Sequence, residues 1–413
     1  MRGRPHLYTS YSADQALMPT ATKKVALATF LVLAVLAPIA SSIPFYPDFL
    51  GNNDWMKLLS HVAIFGIGAL GINLLTGVAG QVSLGHAFFM GLGAYVGVVF
   101  GAPPGDLWGL GLPMWIWLPM AGIIPAAIGL LVGPAAVRVR GLYLAFATLG
   151  LVFIGEWAWR NLKFITGGSF AGRRFPEFQL RMWKEEEPLV DFASDGVWLG
   201  FEISEEAKVY LLMLGLLVVA TVLAKNLQRT RAGRAFQAIR DRDIAAEIMG
   251  VNEFKYKLMA FGISSAYAGV AGALFASFVG RQIPETWDLF LSVEFIAIIL
   301  IGGAGTVSGA LMGSAFVILL PRLVQDFTEW LSNVIADGEG LLATVADVVL
   351  SVSPDDFGVV NVLPGAGPGL SVFQLNQVLF GLLVILFMIF EPLGLYGIWL
   401  RIRNYWKGWP FTY

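Results

Sequence analysis

RAGRAFQAIRDRDIAAEIMGVNEFKYKLMAFGISSAYAG, residues 231–269, changes character midway. Its first part is basic: with Lys225 and Arg229 just upstream, Arg231, Arg234, Arg240 and Arg242 load the segment 225–242 with positive charge. Its last part opens a mostly apolar run, 258–280, long enough to cross a bilayer, which takes about 20 residues. Between the two, a short helix is expected from about Asp241 to Met249. Gly250 stops it, because glycine readily takes the left-handed conformation common after helices. Ala245 and Ala246 give this helix a small-residue face. A short surface helix held between two spans is shaped to sit in a groove of another protein. An ordinary connecting helix at the lipid headgroups would explain the arginines but not the Ala-Ala face.

The composition extends this reading to the whole chain. Of 413 residues, 57% are hydrophobic and 14% are Lys, Arg, Asp or Glu, and the mean hydropathy is +0.71. A soluble chain carries about 25% charged residues, so roughly half the expected charge is missing. Lipid covers the difference, because charged side chains cost a few kcal/mol each in the bilayer and apolar ones cost nothing. A cytosolic enzyme, a disordered chain and most nucleic-acid binders are thereby excluded, and no nucleic-acid partner is expected. Cysteine is absent, which excludes disulfides and thiolate metal sites, and His6, His61 and His86 are too few for a histidine-rich metal centre. No metal, cofactor or catalytic residue is expected on this chain. The polar tail before Lys23-Lys24 reads as the flank of a retained first span, not as a cleaved signal.

Mostly apolar stretches predict an all-α polytopic membrane protein of about ten transmembrane or re-entrant helices. They lie near 25–45, 57–79, 82–101, 115–137, 141–160, 207–225, 258–280, 289–303, 306–321 and 372–396. The segment 82–101 is rich in glycine and the pair within 289–321 is short, so either could re-enter without spanning. Lys and Arg concentrate in short loops that stay cytoplasmic. The segment 225–242, Arg138 and Arg140, Lys23-Lys24, and Arg401, Arg403 and Lys407 all fall on one side of this count. The stretch 176–206 is acidic, with Glu185-Glu186-Glu187, Asp191, Asp195 and Glu205-Glu206, and 322–370 sets seven acids against Arg322 alone. The predicted organisation is a cytoplasmic tail (1–24), a first transmembrane half (25–160) and an acidic external segment (161–206). A second transmembrane half (207–321) follows, with a coupling loop at 226–257. An acidic external insertion (322–371) then precedes a last helix with a basic cytoplasmic tail (372–413). Both termini are expected in the cytoplasm. The external acids read as solvated linkers or as a docking surface for an external partner.

No GxxxxGK[ST] phosphate loop and no HExxH occurs, so this polypeptide does not hydrolyse ATP by the first route. Gly305-Thr306-Val307-Ser308-Gly309 looks superficially like a nucleophile turn, but a serine nucleophile needs a base within reach. The histidines inside the membrane, His61 and His86, lie in the other half of the chain. Gly305, Gly309 and Gly313 recur every fourth residue instead, which fits close helix packing in lipid. Gly302 and Gly303 interrupt the apolar run before them. A matching interruption stands in the first half, at Gly80-Gln81-Val82-Ser83-Leu84-Gly85-His86. Glycine-broken segments in both halves point to a midplane transport site, although close packing alone would also produce them. The polar residues inside the spans, Asn73, Gln81, Ser83, His86, Thr148 and Glu294, are with Gly302 and Gly303 the candidate pathway. For His86 a helix-start hydrogen bond is favoured over a proton relay, and Glu294 is expected to face the bundle interior or a partner.

At the loop quoted first, the sequence resembles the coupling motif EAAxxxG of bacterial ABC importer permeases, matched by Ala245, Ala246 and Gly250. Ile244 stands at the Glu position, with Asp243 one residue earlier, and the downstream half of the motif is missing. Those departures are similar to the LivM-type branch, the permeases for branched-chain amino acids. GQVSLGHAFFMGLGAY (80–95), RVRGLYLAFATLG (138–150), ITGG (165–168), IRDRDIAAEIMGVN (239–252), ILIGGAGTVSGALMGSA (299–315) and EPLGLYGIW (391–399) resemble the same branch.

The resemblance implies a non-catalytic, multi-pass permease subunit of the bacterial inner membrane. It implies a homologous second permease, two ATP-binding subunits that hold the ATP and Mg, and an extracytoplasmic solute-binding protein. Arg240, Asp241, Asp243, Ile244, Ala245, Ala246, Glu247 and Gly250 would couple ATP-driven closure to the bundle. The tail and the insertion, with Pro354, Pro364 and Pro368, are longer than the resemblance leads one to expect. Cargo stays open among branched-chain amino acids, urea, short amides and aromatic acids, and an ion-coupled secondary transporter is the alternative from another class.

Overall fold

The computed structural model describes residues 21–38, 51–105, 107–137, 142–182, 188–198, 201–337, 350–351, 360–361 and 370–408. Arg138 and Arg140, Glu185-Glu186-Glu187, Pro354, Pro364, Pro368 and residues 1–20 of the tail lie outside them, as does the end of the first expected span. The described chain is all-α apart from strands of two or three residues. In order it forms α1 (Ala21–Leu36), then α2 (Asn53–Ile72) continued by a π-helix (Asn73–Val78). Next come α3 (His86–Gly101), α4 (Met114–Val137), α5 (Leu142–Asn161) and the single turns α6 (Lys163–Thr166) and α7 (Gly168–Ala171). After them stand α8 (Glu205–Arg229), α9 (Arg231–Asp241), α10 (Asp243–Ile248), α11 (Glu253–Val279) and α12 (Leu289–Gly302). The chain ends with α13 (Val307–Asp337), α14 (Val372–Phe390) and α15 (Gly394–Gly408).

Six of these elements are long and apolar enough to cross a membrane: Asn53–Val78, Met114–Pro134, Glu205–Arg229, Glu253–Val279, Val307–Val334 and Val372–Phe390. The expectation of about ten spans is therefore met only in part among the described residues. Of the remaining four, α3 has 16 residues and α12 has 14, roughly 24 and 21 Å of helix against a core of about 30 Å. The described apolar part of α1 is short as well, and α5 carries Glu156 and Arg160 in its second half.

The chain forms two compact units, Met1–Ile296 and Ala297–Tyr413, divided inside α12. In the first, α11 packs against α2, α3 and α4. Small residues make this approach possible: a Cβ on Gly93 would fall on the Gly269 backbone, one on Gly272 on the Met90 carbonyl, and one on Gly269 on the Ala121 carbonyl. Lipid supplies no hydrophobic force between helices, so such backbone-to-backbone packing is what holds them. α8 lies along α2, pinned by Lys57–Glu206 at 3.2 Å and by the Ser204 hydroxyl donating to Asn53 Oδ1 at 3.0 Å. The packing thus runs across the two sequence halves.

Short strands gather at the end of this unit where α3 and α11 finish. β1 (Arg173–Arg174) precedes the small antiparallel pairs β2 (Gln179–Leu180) with β3 (Val190–Asp191), and β4 (Gly196–Trp198) with β5 (Phe201–Ile203). β1 itself pairs antiparallel with β6 (Arg281–Gln282). Arg173 is buried there and donates to the Ile165 carbonyl at 2.6 Å and to the Trp108 carbonyl. Burial lowers its pKa below the ordinary arginine value. The guanidinium thereby ties together three loops that cap this end.

In the second unit α13 does not stop at residue 321, where the sequence reading ended its span. It continues through Pro321 to Asp337, so the first part of the 322–371 insertion is helix. Arg322–Asp326 at 2.9 Å and the Thr328 hydroxyl on the Val324 carbonyl at 2.7 Å support the extension. α14 starts with a capping box from Ser371 and Gln374 and ends at Phe390, short of the expected 396. Glu391 pairs with Arg401, and the basic tail continues as α15.

Candidate functional site

The segment that opened the sequence reading forms an arm of two helices, not one. Thr230 caps α9, its hydroxyl accepting from Gly233 N at 3.3 Å. Gly233, Ala235, Phe236 and Ile239 are buried, and the Phe236 ring meets Tyr256 edge-on at 6.3 Å. Arg242 is extended (φ −157°, ψ 98°) and separates α9 from α10, so the helix expected from Asp241 to Met249 is split after its first residue. The expected shared face of the two alanines is also absent. Ala246 is buried and Ala245 exposed. What α10 offers outward is larger and apolar: Ile244, Ile248 and Met249 are 64%, 80% and 84% exposed. Asp243 and Glu247 flank these residues, and Gly250 (φ +86°) turns the chain back into α11. Ile244 and Ile248, with Met249 at the C-cap, make the outward side of this short helix apolar.

Arg240, at the end of α9, reaches into the bundle. Its Nη1 donates to the Gly77 carbonyl at 2.5 Å, in the π-helix that ends α2. Gly80 follows with φ +70°, and a Cβ there would press on the Arg240 side chain. Gln81 Nε2 donates to the Lys257 carbonyl at 3.3 Å, in the first turn of α11. Thr76 Oγ1 donates to the Gln81 carbonyl at 3.0 Å, and Gln81 N to the Leu75 carbonyl at 3.0 Å. The break after α2 is therefore stitched to the chain on either side of α10, at Arg240 and at Lys257. π-helical turns interrupt a regular ladder at a cost and occur at functional positions. Asn73, one of the predicted pathway residues, is the first residue of this turn and is fully buried.

Ser83, His86 and Thr148 come together at the start of α3, joined by Ser292, which sequence reasoning did not single out. Thr148 Oγ1 accepts from Leu84 N at 2.9 Å, Ser83 Oγ from Gly85 N at 3.2 Å, and Ser292 Oγ from Ala87 N at 2.9 Å. Of these, Ala87 N is one of the N–H groups that the first turn of a helix leaves without a partner, and Leu84 N and Gly85 N belong to the turn that leads into α3. The His86 ring is buried and packs on Phe295, ring centroids 4.7 Å apart. Serine inside an apolar run carries no sequence signal by itself, which is why Ser292 was missed. Gln81 does not join this group; its amide bonds to Lys257 on α11.

Glu294 lies on α12, half-buried, two residues past Ser292 and apart from the capping group. Gly302 and Gly303 belong to the second unit's own packing. A Cβ on Gly302 would fall on the Gly309 carbonyl, and one on Gly313 would fall on the Ile298 carbonyl. Gly303 (φ +117°) backs onto the Leu393 carbonyl and Tyr396. Gly309 and Gly313 lie on α13, but Gly305 (φ +86°) sits in the turn before it, so the three glycines do not share a helix face. Among the described residues no three His, Asp or Glu side chains converge where a metal ion could be held.

Residues 55–388 match the family described as branched-chain amino acid transport system / permease component. The chain is 32% identical over 331 residues to the high-affinity branched-chain amino acid transport system permease protein LivM of Escherichia coli K12, covering 78% of this chain and 74% of that protein. It is 31% identical over 316 residues to LivM of Salmonella typhimurium, covering 75% and 71%. It is also 27% identical over 337 residues to the autoinducer 2 import system permease protein LsrC of Enterobacter sp. 638, covering 78% and 87%. No solved structure matches.

Proposed function

We propose that this chain, which belongs to the family of permease components of branched-chain amino acid transport systems, carries branched-chain amino acids across the bacterial inner membrane as one subunit of an ABC importer. The observation that carries this reading is the 32% identity to LivM over 78% of the chain, joined to an arm whose exposed tip is apolar and whose root is bonded to the bundle. In this reading Ile244, Ile248 and Met249 seat in a groove of an ATP-binding subunit on the cytoplasmic side, where ATP is bound with Mg and hydrolysed. Arg240 passes the resulting movement to the π-helix at the end of α2. Both termini are cytoplasmic, a homologous permease completes the pathway, and an external solute-binding protein delivers the cargo. The bonds made by Ser83, Thr148 and Ser292 hold the start of α3 as a fixed pivot beside that pathway.

The test is reconstitution of the permease pair with its two ATPases and the solute-binding protein in proteoliposomes. Leucine uptake is expected only with ATP inside the cytoplasmic face. Uptake by this chain alone, driven by a proton or sodium gradient, would make it a secondary transporter. Uptake of urea or an aromatic acid in preference to leucine would keep the class and change the cargo.

A further inference from the structure

Three hydrogen-bond donors without acceptors meet in the first unit. Tyr95 on α3, Trp159 on α5 and Trp287 just before α12 are 2%, 6% and 0% exposed. Tyr95 Oη, Trp159 Nε1 and Trp287 Nε1 all lack a hydrogen-bond partner. The three are neighbours. Tyr95 and Trp159 have ring centroids 4.9 Å apart, and the Trp287 indole faces the Tyr95 hydroxyl without reaching hydrogen-bond geometry. A Cβ on Gly91, one turn before Tyr95, would lie 2.8 Å from Trp287 Cγ and 3.1 Å from Trp159 Nε1. Gly91 is what lets both indoles close on α3.

An unpaired buried donor is costly, and native proteins leave few of them. Three at one point need a reason that packing does not give, since phenylalanine would pack as well. The nearby charges suggest one. Glu285 and Arg173 are the charged groups whose fields reach Tyr95. Glu285 Oε1 pairs with Arg160 at 3.3 Å, while its Oε2 is buried with no partner. Phe175, 6.3 Å from Tyr95 by ring centroids, also lines a cavity of about 330 Å³ beside Trp117, Met114, Arg174, Glu177 and Arg181.

Two indole N–H groups and a phenol O–H in a water-poor aromatic enclosure suit a carboxylate, and a carboxylate oxygen without a partner suits an ammonium group. We propose that Tyr95, Trp159 and Trp287 bind the carboxylate of a zwitterionic amino acid, with Glu285 taking its ammonium group, when this end of the bundle opens. The site rests on the amino-acid permease reading above. The indoles close over Gly91 in this conformation, so α5 must move to admit a solute.

The experiment measures binding of radiolabelled leucine to the purified permease–ATPase complex without solute-binding protein. The competitors are unlabelled leucine and isoamylamine, the same skeleton without the carboxylate. In the wild type, isoamylamine should compete at least tenfold more weakly than leucine. Trp159→Phe, Trp287→Phe and Tyr95→Phe keep the rings and remove the donors. Each should weaken leucine binding by about tenfold, the size of one hydrogen bond to a charged group, and should narrow the gap to isoamylamine. A merely structural role would lower the yield of folded complex but leave the gap unchanged. An unchanged gap in all three variants overturns the site. So does a wild-type complex that binds no leucine yet takes it up with ATP and solute-binding protein. If that complete system takes up no leucine, the permease reading has failed and the site falls with it.

Discussion

The two glycine interruptions look alike in sequence and are held by different physics. The first, from Gly77 to Gly85, is stitched at its Gly77–Gln81 end by long polar side chains that reach between distant segments: Arg240 to the Gly77 carbonyl and Gln81 to the Lys257 carbonyl. The second, from Gly302 to Gly305, is held by backbone against backbone, with Gly302, Gly309, Gly313 and Gly394 too close to their neighbours for any side chain. A seam made of long side chains can change partners when an attached arm moves. A seam of interlocked backbones has no such freedom. The first break therefore suits the transmission of movement, and the second suits a fixed joint.

The largest effect is expected at the fixed joint. A side chain at Gly313 would land on the Ile298 carbonyl and 3.0 Å from Gly302 Cα, and no rotamer relieves a clash with backbone. Gly313→Leu should cost at least the ~3 kcal/mol at the upper end of overpacking, seen as a collapse in monodisperse yield from detergent. Normal yield and thermal stability would show that this seam tolerates separation, and the contrast with the first break would be lost.

An intermediate effect, of a different kind, is expected at the stitched break. Arg240→Ala removes the bond to Gly77 but leaves the buried face of α9 (Gly233, Ala235, Phe236, Ile239) in place. The complex should assemble and hydrolyse ATP while the leucine carried per ATP falls about tenfold or more. Arg240→Lys should recover part of the loss, since a lysine can reach one carbonyl but lacks the planar fork. An unchanged ratio of transport to hydrolysis would sever the arm from the π-helix as a route of coupling.

Much of this was legible in the sequence, because composition and spacing report what a segment is made of. Apolar runs gave the spans, clustered arginines gave the arm, and glycines marked both breaks. What a segment bonds to is not written locally. Gly77 and Arg240 stand 163 residues apart, and Gln81 and Lys257 stand 176 apart, so the same glycine signal served two different joints. Gln81 stands out in the sequence as a polar residue within an apolar stretch, and its amide bonds to the Lys257 carbonyl on α11, a partner that no local signal marks. The split of the coupling helix at Arg242 was equally hidden, since no proline or glycine marks it. The ends of α3 and α12, Gly101 and Gly302, fall within a residue of the expected 101 and 303, whereas α13 runs on through Pro321 to Asp337, past the expected 321, because an amphipathic helix can continue after the apolar run ends.

The smallest effect tests whether the start of α3 belongs to the stitched seam. Thr148 Oγ1 accepts from Leu84 N at 2.9 Å and donates back to its own helix at Leu144 and Ala145, both 3.0 Å. Valine has nearly the same shape and none of these bonds. Thr148→Val would leave the part-buried Leu84 N–H without this acceptor, which costs at most the ~1–3 kcal/mol of a fully buried donor, while the freed helix carbonyls keep their ladder partners. The expected result is a lowered melting temperature with assembly intact and transport per ATP close to wild type, and Thr148→Ser should restore the stability. A melting temperature equal to the wild type's would mean that Leu84 finds another acceptor. A fall in transport per ATP as large as that of Arg240→Ala would mean that the start of α3 moves with the arm, extending the mobile seam from Gly77 to His86.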